Sequence, residues 1–398
     1  MEQGEWDTKI VVLTQFATTF TWTYVYVFMP FYIQQVSPYG REATLLWTGL
    51  ILGVTGLAST VFAPIWGAMA AKFSPKRLYE AGMLLQGVFI ALMGFTTSLP
   101  FLFILRLLVG CIGGLSTLAL IIISSTSSTK TLTANVGLFQ SVMTTGQITG
   151  PFVGAISADL LGFRATFLVG GLLMVLTFFH ILFRLNPTPV FRPGPSQARP
   201  SWKRLLAGWL VCFATAVQIV FLPSILPEVL ASLQVAGAKA IRVAGLIVFA
   251  SGITAALGAY CFSRLAVRFG RRRVVAFAGL SASLFQLLLG FAGSVGIFTL
   301  VRVLQTGLAA AVIPIIFAEV AEGSKGSTIG FINTSRFAAN AAGPFLATWA
   351  LARFTPMHLY IGLSAITALS LVVFSFSPPP FPSRMGPEMV KGTTEKNA

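Results

Sequence analysis

The sequence predicts an all-α membrane protein of twelve transmembrane helices, arranged as two parallel six-helix pseudo-repeats. Three observations lead there. Of 398 residues, 55% are hydrophobic and only 10% are charged, with a mean hydropathy of +0.83. A soluble domain carries roughly 25% charged residues, so this chain has too little polar surface to sit in water. The apolar residues come in successive runs of about 20 or more, the length that crosses ~30 Å of hydrocarbon. Finally, the second half of the chain repeats the first. Helices follow because hydrocarbon offers no partner to a free backbone N–H or C=O.

In chain order, the first six spans fall near 9–33, 44–71, 78–98, 100–123, 132–160 and 163–184. The other six fall near 203–230, 240–267, 273–292, 295–320, 326–352 and 357–377. Span 1 carries Gln15, Thr19, Trp22 and Tyr26 at spacings of four, three and four, which places them on one helical face. A short basic turn, Gly67 to Arg77 with Lys72 and Lys76, joins spans 2 and 3. Span 4 holds Arg106, followed by Gly110, Gly113 and Gly114. An arginine ~9 Å inside the membrane costs about 2.5–3.5 kcal/mol on insertion scales, so it should face a polar cavity, a partner or nearby carbonyls. Span 5 carries Gly137, Gly146, Gly150, Pro151 and Gly154. Glycines one turn apart let a neighbouring helix approach closely, and the proline removes one backbone bond.

The prolines and arginines between Asn186 and Trp202 rule out a continuous helix and suit a solvent-facing linker. The chain therefore divides into a first half (1–185), a linker (186–202), a second half (203–377) and a polar, Pro-rich tail (378–398) expected to be disordered. Span 7 offers Phe213 and Gln218, and span 10 offers Arg302 and Gln305. Arg336 lies about ten residues into span 11, ~15 Å deep at helical rise.

Charge sets the expected orientation. With both termini cytoplasmic, 19 of the 27 Lys and Arg residues fall on the inner side, 5 on the outer side and 3 within spans. This bias accounts for the net charge of +16. Nucleic-acid binding would need a basic face on a soluble domain, and none is available. Cys111, Cys212 and Cys261 all lie in apolar runs and are odd in number, so no disulfide framework is expected. The polar start, MEQGEWDTK, does not read as a cleaved signal peptide.

Self-comparison finds the repeat. Residues 67–77 match 263–273, and the segment around Arg106 matches that around Arg302, both at an offset of 196. Residues 137–152 match 330–345 at an offset of 193. An even number of spans per half gives both repeats the same orientation, related by an axis along the membrane normal.

On these motifs the sequence resembles the major facilitator superfamily (MFS) over residues 9–377. The loop of residues 67–77 follows the family's G-x-L-A-D-R-x-G-R-K pattern, and Arg268, Gly270, Arg271 and Arg272 carry its second copy. Ala71 and Val267 stand where the family has Asp, a carboxylate that belongs to a cytoplasmic charge latch. The span 5 glycines with Pro151 follow the pattern of the family's proton-coupled exporters, except that Ala155 replaces the last glycine. In those exporters this face is thought to seal the two halves against leak.

The resemblance implies a bacterial drug:proton antiporter in the inner membrane, exchanging a small amphipathic, neutral or anionic molecule for protons by alternating access. Spans 1, 4, 7 and 10 line the pathway in the family. That directs attention to Gln15, Thr19, Trp22, Tyr26, Arg106, Gln218, Arg302 and Gln305, with Arg336 as an unbalanced cation on span 11. Each also reads as helix packing or an internal ion pair. Asp159, Glu228 and Glu319 are the proton-coupling candidates. No H-E-x-x-H, Walker A or nucleophile elbow is found, so neither an enzyme nor a cofactor or metal is expected. Expected partners are the substrate, protons and the lipid bilayer, with no nucleic acid, for a monomer. An uptake symporter of the same fold, or a non-transporting scaffold, are the alternatives.

Overall fold

The computed structural model describes residues 2–127, 131–187, 202–321 and 326–377. Most of the expected linker and all of the expected tail lie outside them. The first half is α1 (Glu2–Val36), α2 (Arg41–Met69), α3 (Pro75–Met93), α4 (Leu99–Cys111), α5 (Leu115–Thr126) and α6 (Leu132–Arg184). The second is α7 (Trp202–Val220), a 3₁₀ turn (Leu222–Ile225), α8 (Leu226–Ser232), α9 (Gly237–Phe269), α10 (Arg271–Leu288), α11 (Val295–Ala321), α12 (Gly326–Arg353) and α13 (Pro356–Phe376).

These make twelve crossings, two of which are broken. Nine segments among the described residues are apolar and long enough to cross, with α4 and α5 counted as one and α7 counted with the 3₁₀ turn and α8. The more polar α3 and α12 and the second limb of α6 supply the rest. The 53-residue α6 doubles back at Gly162, whose φ of 77° is open to glycine and strained for other residues. The fourth crossing, read from sequence as one helix, splits into α4 and α5 around residues 112–114. There Trp66 fills the space that a Cβ on Gly114 would need, and its Nε1 donates to Cys111 O at 2.6 Å. The seventh crossing, also read as one helix, breaks after Val220, because Pro223 and Pro227 cannot donate to the ladder.

Each half has its own core. One cluster, which includes Val11, Phe28, Tyr79, Leu118, Phe139 and Phe167, has all its fully buried members within residues 10–185, with Ile241 and Val248 packed on its edge. Another, around Val211, Val275, Ile316 and Phe374, draws only on residues 205–374. α1 and α3 pack on α6, while α9 and α10 pack on α11. The outside is apolar where lipid would lie, as at Leu172, Leu176, Leu284 and Leu300.

Two helix pairs carry most of the contact between the halves, α2 with α12 and α6 with α9, and they obey the sequence repeat. Gly49 lies against Pro344 and Thr348, and Gly56 against Asn340 and Ala341. Gly245 lies against Pro151 and Ala155, and Gly252 against Ile148. Gly49 and Gly245 differ by the offset of 196, as do Gly56 and Gly252. Their partners Pro151 and Pro344 differ by 193. The Ala155 methyl occupies the room left by the missing Cβ of Gly245.

Candidate functional site

The joined ends of the bundle lie opposite the end that holds the start of α1 and the close of α13. At this distal end two ion pairs cross between the halves. Glu228 on α8 accepts from Arg41 Nε at 2.8 Å and from Gln34 Nε2 at 3.1 Å. Asp159 on α6 meets Arg242 Nε on α9 at 3.1 Å. Towards the terminal end the same helices part. On the α2 face Thr60 is half-buried and Pro64 exposed, and on α6 Thr145 and Ser141 are exposed. The halves therefore enclose a cleft, closed distally and open at the terminal end.

Arg336 sits at the vertex of this cleft. It lies one helical turn below Asn340, which packs on Gly56 of α2. Its side chain is exposed, deep in the bundle, beside the buried Cys212 of α7. No hydrogen bond or salt bridge engages it among the described residues. A guanidinium at this depth without a counter-charge favours an anion or a strong dipole beside it on general electrostatic grounds.

The span 1 stripe is divided by its neighbours. Gln15 and Thr19 are buried, and Thr19 packs on Gly146. Gln15 keeps Oε1 without a partner among the described residues. Trp22 and Tyr26 stay half-buried, and Tyr26 lies within electrostatic reach of Arg106.

The two repeat-related arginines have opposite surroundings. Arg302 donates from Nη1 to Gln218 O (2.8 Å) and Gln305 Oε1 (2.7 Å), and from Nη2 to Ile219 O (2.7 Å). Gln305 Nε2 donates to Gln218 Oε1 at 2.8 Å, and Gln218 Nε2 donates to Thr367 Oγ1 at 2.7 Å. All three residues are at most 2% exposed. This network corrects the sequence reading of Gln218, Arg302 and Gln305 as pathway-lining: they are sealed inside the second half. The break in the seventh crossing orphans the last carbonyls of α7, and Arg302 caps them. Arg106 has only a long 3.4 Å bond from Nε to Ile51 O, and its Nη2 is unpartnered among the described residues.

The glycine stripe of α6 faces α1 within its own half, not the other half. A Cβ on Gly146, Gly150 or Gly154 would run into Thr19, Thr23 or the Tyr24 carbonyl, whereas Gly137 has open space around it. The face of α6 turned to the second half is Ile148, Pro151, Phe152 and Ala155, with Phe152 and Phe249 rings 5.0 Å apart.

The three acids singled out in the sequence are all ion-paired. Glu319 meets Arg204, which also donates to Phe374 O at 2.9 Å, all within the second half. In the loop motif, Lys76 Nζ donates to Leu182 O at 3.2 Å and Arg272 Nη2 to Ser377 O at 3.1 Å. These repeat-related cations cap the closing helix of each half, as cations do at helix C-termini. Gly67 sits inside α2, Gly270 makes the turn between α9 and α10 with a φ of 90°, and Lys72, Arg77 and Arg268 are exposed. Arg271 is half-buried at the start of α10.

Sequence reasoning missed Arg41 and Arg242, which it treated only as outer-loop charges, and Trp209, which stacks on Phe213. The available signals were the scarcity of acids at that end and the i, i+4 aromatic spacing in span 7.

Known proteins share this sequence and shape. The chain is 27% identical over 362 residues to YuxJ of Bacillus subtilis, an uncharacterised MFS-type transporter, covering 86% of this chain and 91% of that one. It is 25% identical over 358 residues to the multidrug resistance protein MdtG of Proteus mirabilis, covering 87% and 89%. Among solved structures, the human organic anion transporter MFSD10 superimposes with a TM-score of 0.70 at 18% identity, covering 93% of this chain and 99% of that one. A D-xylose–proton symporter gives 0.75 at 15% identity, covering 94% and 98%. The family profile matches twice, over residues 11–233 and 204–395; with its twelve crossings and its repeat-related contacts between halves, the chain belongs to the Major Facilitator Superfamily.

Proposed function

We propose that this transporter exports a small amphipathic molecule, neutral or anionic, across a bacterial inner membrane in exchange for protons. The observation that carries the reading is the cleft with an unpaired Arg336 at its vertex. The charge bias supports a cytoplasmic terminal end, so the cleft opens inward and the ion pairs hold the outer end shut. Substrate would enter from the cytoplasm or inner leaflet and meet Arg336, Trp22 and Tyr26, with Arg106 behind them. Closing the terminal end and breaking the distal contacts would then release it outside, the alternating access of two rocking halves. The likeness to the multidrug resistance protein MdtG favours export over uptake.

Glu228 and Asp159 remain the acids best placed to take up a proton from outside. Protonation would remove the charge that holds Arg41 and Arg242, favouring the outward-open state. Export is tested in inverted membrane vesicles with an acid interior, where added compounds should dissipate the proton gradient and accumulate inside. Anionic and neutral compounds should respond more than cationic ones, and Arg336→Ala should weaken the anionic response. A folded, inserted protein that moves no compound against the gradient would refute proton-coupled export and leave uptake or a scaffold role.

A further inference from the structure

The wall of the cleft on the second half is more specific than a generic apolar surface. α7 presents Trp202, Leu206, Trp209 and Phe213 at spacings of four, three and four. These residues are exposed or half-buried, and the stripe stops where Ala216 and Val217 become buried. The other sides of α7 are occupied by α11, α12 and α13, and the seventh crossing meets α1 through its distal continuation, the 3₁₀ turn and α8. The free side of α7 therefore looks across the cleft towards α1.

Rings line this side from the open end inward. Trp202 lies 5.0 Å from Phe331 of α12. Trp209 and Phe213 stack with centroids 5.3 Å apart and planes within 6°. Trp209 Nε1 donates to Thr334 Oγ1 of α12 at 2.9 Å, which fixes the indole against α12. Ile332, one turn before Arg336, packs on Gly208, one turn before Cys212, which sets Arg336 alongside this stretch of α7 and within electrostatic reach of Cys212.

We propose that Trp209, Phe213 and Arg336 form one binding site for organic anions with a flat aromatic body. The acidic head sits on the Arg336 guanidinium and the ring lies against the Trp209–Phe213 stack. This rests on the transporter reading of the cleft and narrows its substrate class. A planar guanidinium matches a carboxylate or a similar oxyanion in bidentate fashion. Parallel aromatic rings offer area to a flat ring at small entropic cost. A lipophilic cation would meet an unbalanced positive charge, because Asp159, Glu228 and Glu319 are each held in an ion pair of their own.

Binding to the purified full-length protein in detergent tests this without requiring transport. The probes are 2-naphthoate, neutral 2-naphthol and cationic 2-naphthylmethylammonium, read by quenching of tryptophan fluorescence and by calorimetry. Naphthoate should bind most tightly. Arg336→Gln should weaken it about tenfold or more, the scale of a lost charge-assisted pair, and shift naphthol by less than about twofold. Arg336→Lys should recover part of the loss, which separates a charge effect from misfolding. Phe213→Leu should weaken naphthoate and naphthol alike by about three- to tenfold. Absence of naphthoate binding, naphthoate binding indifferent to Arg336→Gln, or naphthylmethylammonium binding as tightly as naphthoate would each overturn the site. Naphthoate binding with silent vesicles would sink only the export reading. Vesicle export that is weakened by Arg336→Ala, together with naphthoate binding indifferent to Phe213→Leu, would sink only this one.

Discussion

Arg106 and Arg302 occupy the same place in the two repeats, yet one is nearly unbonded and the other caps a broken helix. The difference starts at the partner helix. The seventh crossing breaks at Pro223 and exposes carbonyls for Arg302 to collect, whereas α1 continues through its equivalent depth. Replacing Arg302 by Met would remove the guanidinium donor from Gln218 O, Ile219 O and Gln305 Oε1, leaving Gln305 Oε1 only the 3.3 Å bond from Thr306 Oγ1. The loss should be about 2–4 kcal/mol, taking the lower range for polar contacts in membranes. Replacing Arg106 by Met removes a buried charge with one weak contact, so stability should hold or rise while transport falls. Thermal unfolding of both variants in detergent decides this. Equal losses of stability would mean that Arg106 is held by contacts as strong as those of Arg302.

At the scale of elements, the first half turns on how close α6 comes to α1. Thr23 Oγ1 donates to Gly146 O at 3.2 Å across that interface, and a Cβ at Gly150 would lie 2.6 Å from Phe20 O and 2.1 Å from Thr23 Oγ1. Gly150→Leu should therefore push α1 off α6 and destabilise the first half by more than the ~1–3 kcal/mol usual for overpacking. The resemblance to exporters implies a face that seals the two halves, whereas these contacts lie within the first half. Ala155→Leu, which presses on Gly245 of α9 across the halves, should instead weaken distal closure with little effect on folding. Thermal stability and proton leak of the two variants in vesicles separate these effects; a Gly150→Leu protein of normal stability would contradict the α1–α6 assignment. The glycine spacing was legible in the sequence because close helix approach leaves a periodic mark. Which neighbour approaches was not, since a glycine stripe looks the same whichever helix it meets. The breaks in the fourth and seventh crossings were hidden for a similar reason: their apolar runs continue through Gly113–Gly114 and Pro223, where hydropathy does not register a lost backbone bond.

At the scale of the whole molecule, the twelve crossings, the two halves and the repeat could be read from the chain, because hydrocarbon imposes length and apolarity on every span. The state of the cleft could not, because both states of a rocking transporter use the same helices and differ only in which ends touch. In the state described here the distal end is held by small-residue packing at four repeat-related glycines and by the pairs Glu228–Arg41 and Asp159–Arg242. The arginines are 58% and 61% exposed, so screening limits each pair to about 0–1 kcal/mol. Together they contribute at most about 1–2 kcal/mol, enough to shift an equilibrium roughly 5- to 30-fold. Glu228→Gln combined with Asp159→Asn should therefore raise the distally open population by that order, while the glycine contacts keep the closed state accessible. Spin labels at Tyr39→Cys and Ala236→Cys, with the three native cysteines replaced, would read the change as a longer distance between the halves. The charge swap Arg41→Glu with Glu228→Arg should restore the short distance, whereas Arg41→Glu alone should lengthen it. If the neutral double variant keeps the distance distribution of the parent, closure rests on the glycine–proline packing alone, and the ion pairs follow the closed state without setting it.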